Sequence, residues 1–303
     1  MRKCYTISGA KSLLEIEGLE VGQFTLNGRQ FPSKRRTVET LKEVRSKGCH
    51  VKTVVHYDFI YIISRFSMFT ASVKQAIISE VVDILKFADE DGNIEGVIMH
   101  TDYPLKKEFN SASDKAQFIK DNYNSSIWDS SSIERNMDNV AEQSVLEFYE
   151  ALKEKGTFKT KVYIENTTKV GPYNEGSLDW IVDLFDRHPE LKQYFGIVYD
   201  TEHHYAVSGY WLSVEDINYF KSIGLDVIVH LNTVPREVKP YSRRDRHSET
   251  TIYECYLHPS HYYEKFSSDL DNLGIVWVRE VKSETMLREI NHEQCSCFSS
   301  SNC

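Results

Sequence analysis

Eight short apolar runs, six of them closed by a histidine or a carboxylate, constrain this chain more than any other feature of its sequence. The runs are KCYTIS near residue 3, GQFTLN near 22, VKTVVHYD at 51, EGVIMHT at 95, KVYIENT at 161, FGIVYDT at 195, DVIVHLN at 226 and GIVWVREV at 274. Each has the length and β-branched content of a strand buried on both faces. Between several of them lie segments with apolar residues at helical spacing, among them SVKQAIISEVVDILKFADE, NVAEQSVLEFYEALKEKG and SLDWIVDLFDRH. Strands that alternate with helices imply a parallel sheet covered on its outside, and eight of them favour a closed (β/α)8 TIM-type barrel over an open sheet.

A chain of 303 residues with 41% apolar content can build one such core without dividing. The expected organisation is a single barrel over residues 1–287 and a Cys/Ser-rich disordered tail over 288–303. Two segments, 102–134 and 233–257, do not fit the alternation and are long enough to be functional loops. No apolar stretch reaches transmembrane length, and the N-terminal MRKCYTISGAK lacks a signal-peptide core, so a soluble intracellular protein of nucleus or cytoplasm is expected. Three of the six cysteines crowd into the last nine residues, which is no disulfide framework and fits a reducing compartment.

The closing residues carry the chemistry. His56 ends VKTVVH, His100 ends GVIMH, Glu165 ends KVYIE, Asp200 ends GIVYD, His230 ends VIVH and Glu280 ends VWVRE. In a barrel these positions form a ring at the C-terminal strand ends, where active sites of this fold are built. Converging carboxylates repel unless a cation or proton neutralises them, and metal binding is the economical answer. Two further spacings add donors: Asp200 and His203 in YDTEHH, and Asp245 and His247 in RRDRHS. Mixed imidazole and carboxylate ligation suits Zn2+, with Mn2+ or iron as competitors.

Other reaction types lack their parts. The sequence contains no GxSxG elbow, no GxxxxGK[ST] loop and no GxGxxG turn. A formal net charge of -9 argues against holding nucleic acid by bulk charge, although RQFPSKRR at 29–36 and YSRRDR at 241–246 are local basic clusters.

The order of ENTTKVG at 165, DTEHHYAVSGY at 200, HLN at 230 and DRHS at 245 resembles the endonuclease IV family of apurinic/apyrimidinic endonucleases, over about residues 21 to 285. The resemblance implies a barrel with three zinc ions. His56, His100 and Glu165 would hold the first, Glu165 would bridge to a second held also by Asp200, His230 and Glu280, and His203, Asp245 and His247 would hold the third. Glu165 and Glu280 are the implied catalytic carboxylates. The implied reaction is hydrolysis of the phosphodiester 5′ to an abasic site in double-stranded DNA, leaving a 3′-hydroxyl. QFTLNGRQF resembles the first DNA-recognition loop of the family, so Arg29 and Gln30 are its candidate wedge, with Phe59 and Arg246 as further candidate DNA contacts. A monomer that needs no membrane is expected.

The sequence also departs from the family pattern. Thr233 stands where the family places an aspartate after HLN, and SETTIYE replaces a Gly-containing stretch after DRH, which alters the rim of the pocket and leaves the ligand positions intact. Three other readings stay open: a metal-dependent sugar isomerase or epimerase of the same barrel superfamily, a nuclease for ultraviolet photoproducts, and a barrel that binds without catalysing.

Overall fold

The computed structural model describes residues 4–7, 19–25, 37–57, 62–101, 129, 140–167, 176–209, 211, 213–233, 262–281, 285–286 and 288–289. Strands β1 (Cys4–Ile7), β2 (Val21–Thr25), β3 (Lys52–His56), β4 (Ile94–His100), β5 (Lys161–Glu165), β6 (Phe195–Asp200), β7 (Val227–His230) and β8 (Val276–Val278) pair in sequence order. Every pairing is parallel. Strand β8 returns to lie beside β1 and β2, so the sheet curls into a barrel. All eight expected strands are present, the N-terminal one included.

Helices α1 (Thr37–Ser46), α2 (Ala71–Asp91), α3 (Val140–Lys153), α4 (Leu178–Arg187), α5 (Thr201–Ser208), α6 (Val214–Ser222) and α7 (Tyr262–Asn272) follow the strands. Helix α2 shows why they form where they do. The Thr70 side chain accepts from Val73 N at its start, and Val73, Ile77, Val81, Ile84, Leu85 and Ala88 make one buried stripe. It stops at Gly92, whose φ of +70° is the left-handed cap that a side chain disfavours, and whose N–H donates to Ala88 O. None of the described helices is long and apolar enough to cross a membrane.

Packing continues to Glu289, whose side chain is buried. The Arg279 guanidinium, on the outer side of β8, lies 2.5 Å from the Glu289 carboxylate, and both side chains are fully buried. Residues 290–303, and 102–134 apart from Asp129, lie outside the described residues.

The Tyr163 ring packs between two glycines of the neighbouring strands. Residues two apart on a strand share a face, so Tyr163 lies on the same side of β5 as Glu165. The neighbouring strands give way with glycine: a Cβ on Gly96 would sit 2.4 Å from the Tyr163 ring, and one on Gly196 would sit 2.6 Å from the ring and 2.7 Å from Asp226 O. Gly96→Ala and Gly196→Ala are each expected to cost about 1–3 kcal/mol in urea unfolding through overpacking. A second change, Tyr163→Leu, should recover more in the Gly96→Ala background than in Gly196→Ala, where the Asp226 carbonyl remains in the way. Equal recovery would mean that the ring is not what excludes the methyl group.

Candidate metal centre

Strand register sets the polar strand-end residues opposite one another in two strand pairs. His100 is opposite Glu165 across β4 and β5, and Asp200 is opposite His230 across β6 and β7. Because each caps an apolar strand, their side chains converge at the C-terminal mouth. Glu165, Asp200 and His230 are sealed from solvent, whereas the side chains of His56, His100 and Glu280 keep 7%, 10% and 15% of their surface exposed. The mouth therefore opens on the latter three.

Two donor groups share one carboxylate. His56, His100 and Glu165 form the first, and Glu165, Asp200, His230 and Glu280 the second, each group offering ligand atoms that lie within 4.8 Å of one another. In the first, His56 Nε2, His100 Nε2 and Glu165 Oε2 are 3.1 Å apart along each edge. That edge suits donors around an ion with bonds of about 2.0–2.2 Å. In the second, His230 Nδ1 lies 2.9 Å from Glu165 Oε1, 3.3 Å from Glu280 Oε2 and 3.8 Å from Asp200 Oδ2. One oxygen of Glu165 thus faces each group.

The donor chemistry fits a divalent cation. Three carboxylates buried this closely need positive charge between them. His56 donates its Nδ1–H to Tyr57 O at 2.9 Å, which leaves the Nε2 lone pair directed at the first group. His100 directs Nε2 to the same point, and its Nδ1 has no hydrogen-bond partner among the described residues. These clusters could hold metal ions.

The residue that follows each donor tethers the next strand. Thr101, after His100, donates its hydroxyl to Glu165 O at 2.9 Å. Asn166, after Glu165, accepts from Asp200 N at 2.8 Å and donates to Asp200 O at 3.3 Å. Thr201, after Asp200, donates to His230 O at 3.3 Å and Asn232 O at 2.5 Å. Asn232, two past His230, donates to Asp200 Oδ2 at 2.5 Å and accepts from Glu280 N at 2.9 Å. Gln23 on β2 completes the arc, donating to Glu280 Oε1 at 2.5 Å and facing His230 Nε2 with its amide oxygen at 2.8 Å.

Protonation follows from this packing. Burial alone would push the Glu165 carboxyl up, but His230 and His100 beside it reverse that and hold it well below the usual carboxylate range. Burial would lower His230, yet Glu280 and Glu165 raise it well above its ordinary value, and Glu165 raises His56 in the same way. Without an ion, protons supply the missing positive charge.

Six of the nine sequence-predicted ligands therefore meet in the two groups. His203 stands beside them. Its Nδ1 faces Asn166 O at 2.8 Å and lies 3.7 Å from both Glu165 and Asp200. The D-x-x-H spacing has a local cause, because Asp200 caps α5 by accepting from His203 N at 2.8 Å. Asp245 and His247, with Arg29, Gln30, Phe59 and Arg246, lie outside the described residues. Sequence reasoning missed Gln23, Asn166 and Asn232. A polar residue inside the apolar run VGQFT, and asparagines just past two strand-end donors, were the available signals.

No protein-family model matches the sequence, and no curated protein matches it. Solved structures share its fold. The structure designated AsfvAP:AG superposes with a TM-score of 0.58 at 14% identity, covering 96% of this chain and 88% of that one. SacUVDE gives 0.52 at 12% identity, covering 94% and 84%. An AP endonuclease, family 2, from Brucella melitensis gives 0.52 at 10% identity, covering 94% and 96%. At these identities the likeness is one of architecture: this chain is a (β/α)8 barrel of the same type as those three proteins, with its His/Asp/Glu clusters at the mouth.

Proposed function

We propose that this protein is a divalent-metal phosphodiester hydrolase that incises double-stranded DNA 5′ to abasic sites, leaving a 3′-hydroxyl and a 5′-deoxyribose phosphate. The observation that carries the reading is the shared carboxylate, with Glu165 presenting Oε2 to His56 and Oε1 to His230. A carboxylate between two donor groups suits the paired-ion arrangement of phosphodiester hydrolases. Support comes from the motifs that resemble endonuclease IV and from the barrel shared with the Brucella AP endonuclease.

His56, His100 and Glu165 would hold one ion, and Glu165, Asp200, His230 and Glu280 a second. His203, with Asp245 and His247 from a segment outside the described residues, would hold a third. Zinc suits the mixed nitrogen and oxygen donors, with manganese as a substitute. Bound there, divalent ions supply Lewis acidity toward the phosphate and make a water more acidic.

The protein's own groups do the rest. Asn232 and Gln23 hold the two oxygens of Glu280, so this carboxylate is oriented before substrate arrives. It is also the most exposed carboxylate of the group and would accept a proton from water attacking the phosphate. Glu165 and Asp200 are sealed from water, and charge in such a low-dielectric pocket acts at greater strength. Arg29 and Gln30 would enter the minor groove, and Phe59 and Arg246 would contact the flanking duplex. The protein would act as a soluble monomer.

Metal-loaded protein should nick an abasic duplex and spare an undamaged one. Glu280→Gln should lower incision by on the order of 10²–10³ with the fold retained by circular dichroism. Isomerisation of a ketose by protein that leaves abasic duplex uncut would replace this reading with the sugar isomerase. Arg29→Ala should weaken binding to abasic duplex without changing metal content, and unchanged affinity would remove Arg29 from the wedge.

Proton competition gives a second test. An ion needs neutral imidazoles, and His230 and His56 both bind protons above their usual 6.5. Zinc affinity should therefore rise from about pH 6 to pH 8, with protons released on binding near pH 6 in calorimetry. In chelator the signs differ. The raised His230 contributes stability that is complete below 6.5 and lost as pH climbs through its folded value, while the lowered Glu165 contributes above 4.5 and loses it as pH falls. The melting temperature of chelated protein should decline above about pH 6.5, and that of zinc-loaded protein should not. A flat chelated profile would show that protons do not stand in for the ion.

A further inference from the structure

We infer that Gln23 is a positioning residue that decides which nitrogen of His230 faces the second donor group and holds Glu280 against it. The inference rests on the metal reading of that group. Gln23 lies on β2, fully buried, and touches donors from two other strands.

The chemistry of the contacts fixes the amide and the hydrogen on the His230 nitrogen that faces it. A carboxylate oxygen only accepts, so the amide nitrogen of Gln23 must be the atom 2.5 Å from Glu280 Oε1. The amide oxygen then faces His230 Nε2 at 2.8 Å, and an amide oxygen also only accepts. Nε2 of His230 therefore carries a hydrogen and donates it to Gln23, and once an ion takes the place of the proton that Nδ1 shares with Glu165, Nε2–H is the one ring hydrogen left. Its Nδ1, 2.9 Å from Glu165 and 3.3 Å from Glu280, is the nitrogen offered to the group. Glu280 is orientated by the same amide, which occupies Oε1 and leaves Oε2 toward His230 Nδ1.

This differs from the other imidazoles. His56 is oriented by the Tyr57 carbonyl and His203 by the Asn166 carbonyl, and main-chain groups survive any side-chain substitution. His230 depends on a side chain, supplied by a strand in the N-terminal part of the chain. An apolar residue in its place would leave both His230 Nε2 and Glu280 Oε1 without this partner inside the barrel.

The test is zinc binding to the full chain, by competition with a chromophoric chelator, for wild type, Gln23→Leu and Gln23→Glu. Gln23→Leu should bind one ion about 10–100-fold more weakly while the remaining sites keep their affinity. Imidazole nitrogen spectra of the zinc-loaded protein should show His230 as one tautomer in wild type and a mixture in Gln23→Leu. Gln23→Glu, which keeps an acceptor toward His230, should restore the single tautomer. Gln23→Met, which keeps length and shape, takes over if Gln23→Leu fails to fold. Wild-type affinity and an unchanged tautomer in the apolar variant would overturn the role of Gln23 alone. A wild-type protein that binds no ion would overturn the metal reading together with it.

Discussion

Three carboxylates and three imidazoles are packed into one end of this barrel, and their need for positive charge between them is the constraint on which the mouth depends. Glu165 and Asp200 are cut off from water, and Glu280 nearly so. Carboxylates so placed would drive the strands apart if left unneutralised. Glu165 and Glu280 raise the proton affinity of His230 and His56, and the same crowding of donors is what could hold a divalent ion, so one geometry gives both the shifted pKa values and the ligand set.

Holding such groups at 3 Å spacing requires strand ends that do not fray. The tethers from Thr101, Asn166, Thr201 and Asn232 each run from one strand to the next, and in each case the tethering residue sits one or two positions after a donor. Position and support are thus inherited together: the register that sets His100 opposite Glu165 also sets Thr101 against the Glu165 carbonyl. Behind the ring, Arg279 donates to Leu231 O at 2.7 Å while pairing with Glu289, so the turn between His230 and Asn232 is gripped from outside as well.

The functional reading grows from the same arrangement. Exposure increases from Glu165 to Glu280, so in the proposed reaction the carboxylate nearest the opening is the one that would meet substrate. Below them the Tyr163 ring packs between its two glycine neighbours.

The sequence by itself determined the barrel and the level of the site. Apolar runs buried on both faces can only be covered parallel strands, and a polar residue at the end of each run must lie at the C-terminal rim. His56, His100, Glu165, Asp200, His230 and Glu280 were legible for that reason, since strand position alone predicts convergence. Which oxygen of Glu165 faces which histidine, and which nitrogen His230 presents, was not legible, because those choices are made by hydrogen-bond partners far away in the chain. Gln23 is 207 residues from His230 and 257 from Glu280. No local spacing encodes such a contact; only barrel closure, which brings β8 back to the first strands, places the amide between the two and decides the orientation of both.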